Sequence, residues 1–204
     1  MCSSDLALEA GRASAHVTTV PFRARRDAMA DQIPDGTHTH RSEGDQRPPV
    51  ACAIVTVSDS RTEATDASGA RMRELLEDAG HRVVDYALLK NDETGVREHV
   101  RALVARDDVD VVLLTGGTGL GSRDRTVEAV RPLLEKELPG FGEIFRVVSF
   151  HEQVGTAAIL SRAVAGGVRG RLVVSMPGSK AAVELALTRV LLPELRHAIR
   201  ELRR

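Results

Sequence analysis

Thr115-Gly116-Gly117-Thr118-Gly119 and the Ser122-Arg123-Asp124 cluster after it form the stretch whose residue types and spacing can do chemistry. Three glycines in five residues permit positive φ and leave backbone N–H groups uncovered by side chains, so the loop can fold around an anion. Phosphate is the natural candidate. A bare strand-to-helix turn would account for the glycines but has no use for the Ser-Arg-Asp cluster. No Gly-Lys-Ser/Thr follows, so this is not a Walker loop, and the G-x-G-x-x-G spacing of a dinucleotide fold is absent. The loop therefore points to phosphate chemistry of another type.

Such a loop needs a strand to deliver it and a helix to leave by. Val111-Val112-Leu113-Leu114 is a continuous apolar run, as in a strand buried on both faces of a parallel sheet, and residues 126–138 have helical spacing. The run Val50 to Val57 is a second buried strand and ends in Ser58-Asp59-Ser60-Arg61. Residues 68–79 follow as an amphipathic helix, with Ser68 as its expected cap, Met72, Leu75, Leu76 and Ala79 inward, and Gly80 as its stop. A strand over 82–89 ends in Lys90-Asn91-Asp92-Glu93, and a helix over 93–106 turns Val96, Val100, Leu103 and Val104 inward. This βαβαβ order with short connections requires a parallel sheet. The polar ends at 58–61, 91–92 and 115–124 should then meet at one sheet edge, where open α/β sheets bind ligands.

The second half reads less regularly. A short helical turn is expected over 139–145, a brief strand over 146–150, a loop over 151–153 and a helix over 155–164 carrying Ser161 and Arg162. A turn at 166–170 leads into a last buried strand, 171–176, which stops at Pro177-Gly178-Ser179. Ser179 is expected to cap a final helix that runs to the C-terminus with a kink at Pro193. The fold class is α/β, a three-layer sandwich with a mostly parallel sheet.

Composition narrows the partners. A net charge of −1 gives no electrostatic reason to bind nucleic acid or a bilayer, and 2% aromatic residues with no tryptophan leave little for base stacking. Cys2 and Cys52 are too few for a zinc site, and Cys52, among apolar neighbours, reads as a small buried hydrophobe. No apolar run approaches the ~18 residues of a membrane span, and no secretory pattern opens the chain, so a cytoplasmic location is expected. Residues 1–49 read as a disordered tail ahead of a domain over 50–204. His38 and His40 are expected to be solvated there, and Met29 is an alternative start.

Several separated motifs carry a resemblance to a known family: Val57-Ser-Asp-Ser, Thr115-Gly-Gly-Thr-Gly with Arg123-Asp124, Pro139-Gly-Phe-Gly-Glu, Ile159-Leu-Ser-Arg162 and Met176-Pro-Gly-Ser179. Over residues 50–204 the chain resembles the molybdopterin adenylyltransferase family of molybdenum cofactor biosynthesis, the MogA/MoaB family. Ser149-Phe150-His151-Glu152 and the run from Ser161 to Gly166 are closer to the MoaB branch, some members of which are thought to lack transferase activity. The resemblance implies transfer of AMP from magnesium-ATP to the terminal phosphate of molybdopterin, with release of pyrophosphate. It implies magnesium (Mg2+) as metal, ATP as co-substrate, and a homotrimer or hexamer in transient contact with other cofactor-biosynthesis proteins.

Carried over residue by residue, the resemblance makes Asp92 and Asp124 the catalytic and metal-holding residues. Substrate and phosphate would be bound by Ser58, Asp59, Thr115, Gly116, Gly117, Thr118, Gly119, Ser149, Ser161, Arg162, Pro177, Gly178 and Ser179. One departure stands out. The family's other essential carboxylate lies in a Pro-Asp-Asp or Pro-Asp-Glu run, and an ungapped match puts Asn91 there, with Asp92 one residue later. Asp92 is expected to take over; its other reading is a helix cap. Arg162 reads equally as a phosphate or pterin ligand and as half of an internal salt bridge, and His151 as a surface group rather than a general base. The alternative function is a non-catalytic molybdopterin-binding protein on the same fold.

Overall fold

In the computed structural model residues 48–204 are described, and the readings for the tail, His38, His40 and Met29 lie outside them. The elements run β1 (Ala51–Val57), α1 (Ala67–Asp78), β2 (Arg82–Leu89), α2 (Glu93–Val104), β3 (Val111–Thr115), α3 (Thr126–Val130) and β4 (Lys136–Glu137). There follow α4 (Pro139–Ser149), β5 (Val164–Val168), β6 (Arg171–Met176), α5 (Lys180–Leu185) and α6 (Leu195–Leu202). The six strands form one sheet in the order β2-β1-β3-β6-β5-β4. The four from β2 to β6 are parallel, while β5 and β4 each run antiparallel to the strand before them in the sheet.

Alternate residues of the central strands feed two cores, because successive side chains of a strand point to opposite faces. Cys52, Ile54, Leu113, Val174 and Met176 pack against Met72 and Leu76 of α1, Phe141 and Phe145 of α4, and Leu195 of α6. Ala53, Val55, Val112, Leu114 and Val173 pack against Val96, Val100 and Leu103 of α2 and Val130 of α3. The expected three layers are present, and Cys52 is fully buried, its thiol pushed up to about 12 by burial and then by Asp110. Among the described residues no helix is long and apolar enough to cross a membrane.

The segment between β3 and β6 departs from its sequence reading. The helix after the glycine loop ends at Val130, because Pro132 has no N–H to continue it and opens a separate 3-10 turn, Arg131–Leu133. Residues 146–150 are not a strand. Helix α4 carries on through them to Ser149 and passes into one wide π turn, Phe150–Val154, and a 3-10 turn, Gly155–Leu160. Gly166 and Gly167 are not in a turn but inside β5. A Cβ on Gly166 would lie 2.5 Å from the Lys136 carbonyl oxygen, so close packing of backbone, not chain reversal, demands glycine there, while one on Gly167 would lie 2.5 Å from Leu202 Cδ2 and push that side chain aside. The reversal is the two-residue Arg169-Gly170 hairpin, with φ of 51° and 73°. The final helix is interrupted, not kinked: wide turns at Ala186–Leu191 separate α5 from α6.

Candidate functional site

Adjacent β1, β3 and β6 bring their C-terminal ends together, and the backbone knits those ends tightly. The Gly116 N–H donates to the Met176 carbonyl at 3.0 Å, Thr115 Oγ1 donates to the Pro177 carbonyl at 3.0 Å, and Thr126 N–H closes the loop onto the Gly117 carbonyl at 3.0 Å. A Cβ on Gly116 would sit 2.2 Å from the Val57 carbonyl oxygen, so only glycine lets β3 leave the sheet this close to β1. The loop borders a cavity of about 680 Å³.

Gly116, Gly117, Thr118, Gly119 and Asp124 line one side of this cavity and Pro177, Gly178 and Ser179 another; Ser149 and Ser161 also line it. Those sequence-predicted residues are therefore brought together. Phe145, Gln153, Val154, Ala157, Leu160 and Ala182 line it too and were not singled out. Apart from Gln153 they add apolar surface to a lining that the loop makes polar. Thr115 is fully buried behind the loop, and Ser179 accepts from Ala182 N–H at 3.1 Å, capping α5 as expected. The Asp124 carboxylate accepts from Gly121 N–H at 3.0 Å and lies against Gly119 and Gly121, which both lack a Cβ to block it.

The other predicted residues have structural duties. Ser58 Oγ accepts from the N–H groups of Ser60 and Arg61, closing its own turn. Asp59 accepts from Asn91 N–H at 3.0 Å, while Lys90 Nζ donates to the Asp59 carbonyl at 2.8 Å, so the ends of β1 and β2 are clamped. Hydrogen bonds from the Asn91 backbone and then its side chain hold the Asp59 carboxyl below its usual pKa, with help from Arg123 and Lys90. Arg162 is spent on the protein itself. It pairs with Glu128 and donates to the carbonyls of Thr118 at 3.2 Å and Asp124 at 2.8 Å, so it braces the loop from outside the cavity instead of presenting a fork to phosphate. His151, exposed on the π turn with its ring edge-on to Phe150, does not line the cavity.

Asp92 also takes the structural role: exposed, it accepts from Gly95 N–H at 2.8 Å and caps α2. It is Asn91 that faces the glycine loop. A Cβ on Gly117 would lie 2.6 Å from Asn91 Oδ1 and 2.2 Å from Thr126 Oγ1, and both oxygens are buried without a hydrogen-bond partner. Gly117 is thus bracketed by two unsatisfied oxygens, with the Asp124 carboxylate further along the same loop. The orphaned oxygens at Gly117 and the Asp124 carboxylate at Gly119 are donors of the kind magnesium takes, and Asp124 is the one of the three that lines the cavity. They do not make a closed cage, and among the described residues no group of three or more His, Cys, Asp or Glu could hold a metal by itself.

A cavity bordered by a glycine loop at the carboxyl ends of parallel strands, with apolar residues in its lining, is the form of an α/β domain that takes a small ligand. Residues 53–197 match the family described as "Probable molybdopterin binding domain". The chain is 52% identical to the molybdenum cofactor biosynthesis protein B of Halalkalibacterium halodurans over 163 residues, 80% of this chain and 95% of that one. It is 48% identical to the protein of that name from Bacillus subtilis over 155 residues, 76% and 91% of the two chains. A crystal structure of molybdenum cofactor biosynthesis protein B matches at 50% identity with a TM-score of 0.75, covering 78% of this chain and 99% of that one. The tungsten cofactor synthesizing protein MoaB of Pyrococcus furiosus matches at 36% identity with a TM-score of 0.70 and the same coverage. The chain belongs to this family of molybdenum cofactor biosynthesis proteins.

Proposed function

We propose that the chain binds molybdopterin in the 680 Å³ cavity and adenylylates it with magnesium-ATP. The observation that carries this reading is that the glycine loop and Asp124 line the same cavity as the apolar wall of Phe145, Val154 and Leu160. Uncovered N–H groups of the loop receive the pterin's phosphate, and the apolar wall receives its ring system. Asp124 would hold the magnesium, with Asn91 and Thr126 oxygens beside the loop; magnesium supplies positive charge against the phosphate oxygens of the reaction. A phosphate oxygen of molybdopterin forms a bond to the α-phosphorus of ATP as the bond from that phosphorus to the bridging oxygen breaks, and pyrophosphate leaves with the electron pair. Orienting the two phosphates on a loop already braced by Arg162 and Glu128 is the contribution of this chain's own residues.

A second reading, molybdopterin binding without turnover, draws on Asn91: the amide facing Gly117 carries no negative charge, and Asp92 is occupied as a cap. Purified protein given molybdopterin and magnesium-ATP separates the two. Under the first reading it releases pyrophosphate and adenylated pterin, and Asp124→Ala still binds pterin while turnover falls on the order of 100-fold or more, as for other groups that act mainly in the transition state. Tight pterin binding by the wild type without any pyrophosphate would decide for the second.

A further inference from the structure

Asp66 is the one buried carboxylate among the described residues, 3% exposed, and it does not line the cavity. A helix cap needs one acceptor, and Asp66 supplies it for α1 by accepting from Gly69 N–H at 3.1 Å. It also accepts from Thr56 Oγ1 at 2.5 Å, Tyr86 Oη at 2.8 Å, Ser68 Oγ at 2.8 Å and an Arg61 nitrogen at 3.1 Å. Burial pushes its pKa up, but the bonds from Thr56, Gly69, Tyr86 and Ser68 together outweigh burial and leave it below the usual carboxylate value. The carboxylate is therefore a fixed anion, tied at once to β1, β2 and α1.

What that anion holds is Arg61. One guanidinium nitrogen is bound to Asp66 and Ser68, and the other donates to the carbonyl of Gly178 at 2.9 Å. Gly178 lines the cavity, and a Cβ on it would lie 3.1 Å from the Gly116 Cα, so the two glycine-bearing walls touch here. A continuous chain of bonds thus runs from the far strand β2 through Tyr86, Asp66 and Arg61 to Gly178, where that wall meets the phosphate loop.

We infer that Arg61 is a positioning residue for ligand binding: anchored by Asp66, it holds the Pro177-Gly178-Ser179 wall against the Gly116 loop and sets the width of the anion cradle. This rests on the reading of the cavity as the molybdopterin site. Arginine is required because its planar fork serves two acceptors at once; a lysine ammonium keeps the charge beside Asp66 but is a single point on a flexible stem.

The test compares Arg61→Lys with Tyr86→Phe, which removes a donor from the same carboxylate without touching Gly178. Three quantities are measured on each: the midpoint of thermal unfolding, the affinity for molybdopterin, and amide deuterium exchange of residues 116–119 and 178–179 in the free protein. Arg61→Lys should bind molybdopterin on the order of tenfold more weakly, the effect of one charge-assisted hydrogen bond, and exchange faster at 178–179. Tyr86→Phe should unfold at lower temperature yet keep its affinity. Affinity lost in both variants in proportion to their unfolding midpoints, or unchanged exchange at 178–179 in Arg61→Lys, overturns the inference. Wild-type protein that fails to bind molybdopterin overturns the reading of the site instead, and the exchange comparison still judges the clamp by itself.

Discussion

Gly117 is where backbone conformation and chemistry meet. Its φ of 63° lies in the left-handed region, and its missing Cβ is what allows Asn91 Oδ1 and Thr126 Oγ1 to press against the loop. Left-handed backbone costs an L-residue roughly 1–2 kcal/mol before any contact is counted, and a methyl group here would also strike both oxygens. Gly117→Ala should therefore lower the unfolding free energy by at least about 1 kcal/mol in urea titrations and weaken molybdopterin binding more than that loss of stability accounts for. A variant as stable and as tight-binding as the wild type would mean that the Asn91 and Thr126 side chains swing away freely, and the bracket around Gly117 would lose its role. The glycine-loop residues were legible in the sequence because their chemistry is local to a few consecutive positions. Asp66 was not: the sequence points to Ser68 as the cap of this helix, whereas Asp66 is the N-cap, and only the packing of β2 beside β1 brings Tyr86 and Thr56 onto it.

At the scale of elements, α2 decides what Asp92 does. Its N-terminus leaves backbone N–H groups without partners, and Asp92 Oδ2 takes the one on Gly95, leaving Asn91 as the residue aimed at the loop. Asp92→Ala should cost about 1 kcal/mol of stability, the usual value of an N-cap, and leave pyrophosphate release per folded molecule unchanged. Turnover that collapses in Asp92→Ala while Asp92→Asn, which still caps the helix, is equally inactive would restore Asp92 to the chemistry. The same element-level logic explains where the fold was readable. β1 and β3 are near-continuous apolar runs, β2 is a run of strand-forming residues broken by Asp85, and each helix between them has one apolar stripe, so pattern assigns them. Between 126 and 170 period fails for separate reasons: Pro132 halts a helical pattern, α4 continues into a π turn that no spacing rule announces, and Gly166 and Gly167 serve packing against Lys136 and Leu202 while looking like a turn. The part of the cavity lining from Phe145, Gln153 and Val154 carries no sequence signal for the same reason: it is built by a segment that follows no periodic rule.

For the whole molecule, that segment has two sides. Inward it walls the cavity; outward it leaves Val147, Phe150 and Ile159 exposed, Ile159 at 77%, around a second hollow of about 360 Å³ that Arg146 and His151 also line, with Ile144 exposed one turn earlier on α4. Ala158 lines both. Apolar side chains gathered this closely on a surface are characteristic of a contact between proteins, whereas isolated ones are not. If copies of this chain associate, this face is where they should meet. Ile159→Glu is the direct probe, because a side chain already in water loses little when it becomes charged, so the isolated fold should keep its unfolding midpoint. A carboxylate buried without a partner at an interface is costly, so association should fail. Light scattering at micromolar concentration should give a mass near three chains for the wild type, or six if trimers pair, and a mass near one for Ile159→Glu. If the wild type is already a monomer the assembly is wrong, and if Ile159→Glu keeps the wild-type mass the copies meet on another face. If assembly also steadies the segment from α4 to Leu160, the monomeric variant should bind molybdopterin more weakly even though Ile159 does not line the cavity; equal affinity in monomer and trimer would make each cavity a self-sufficient site.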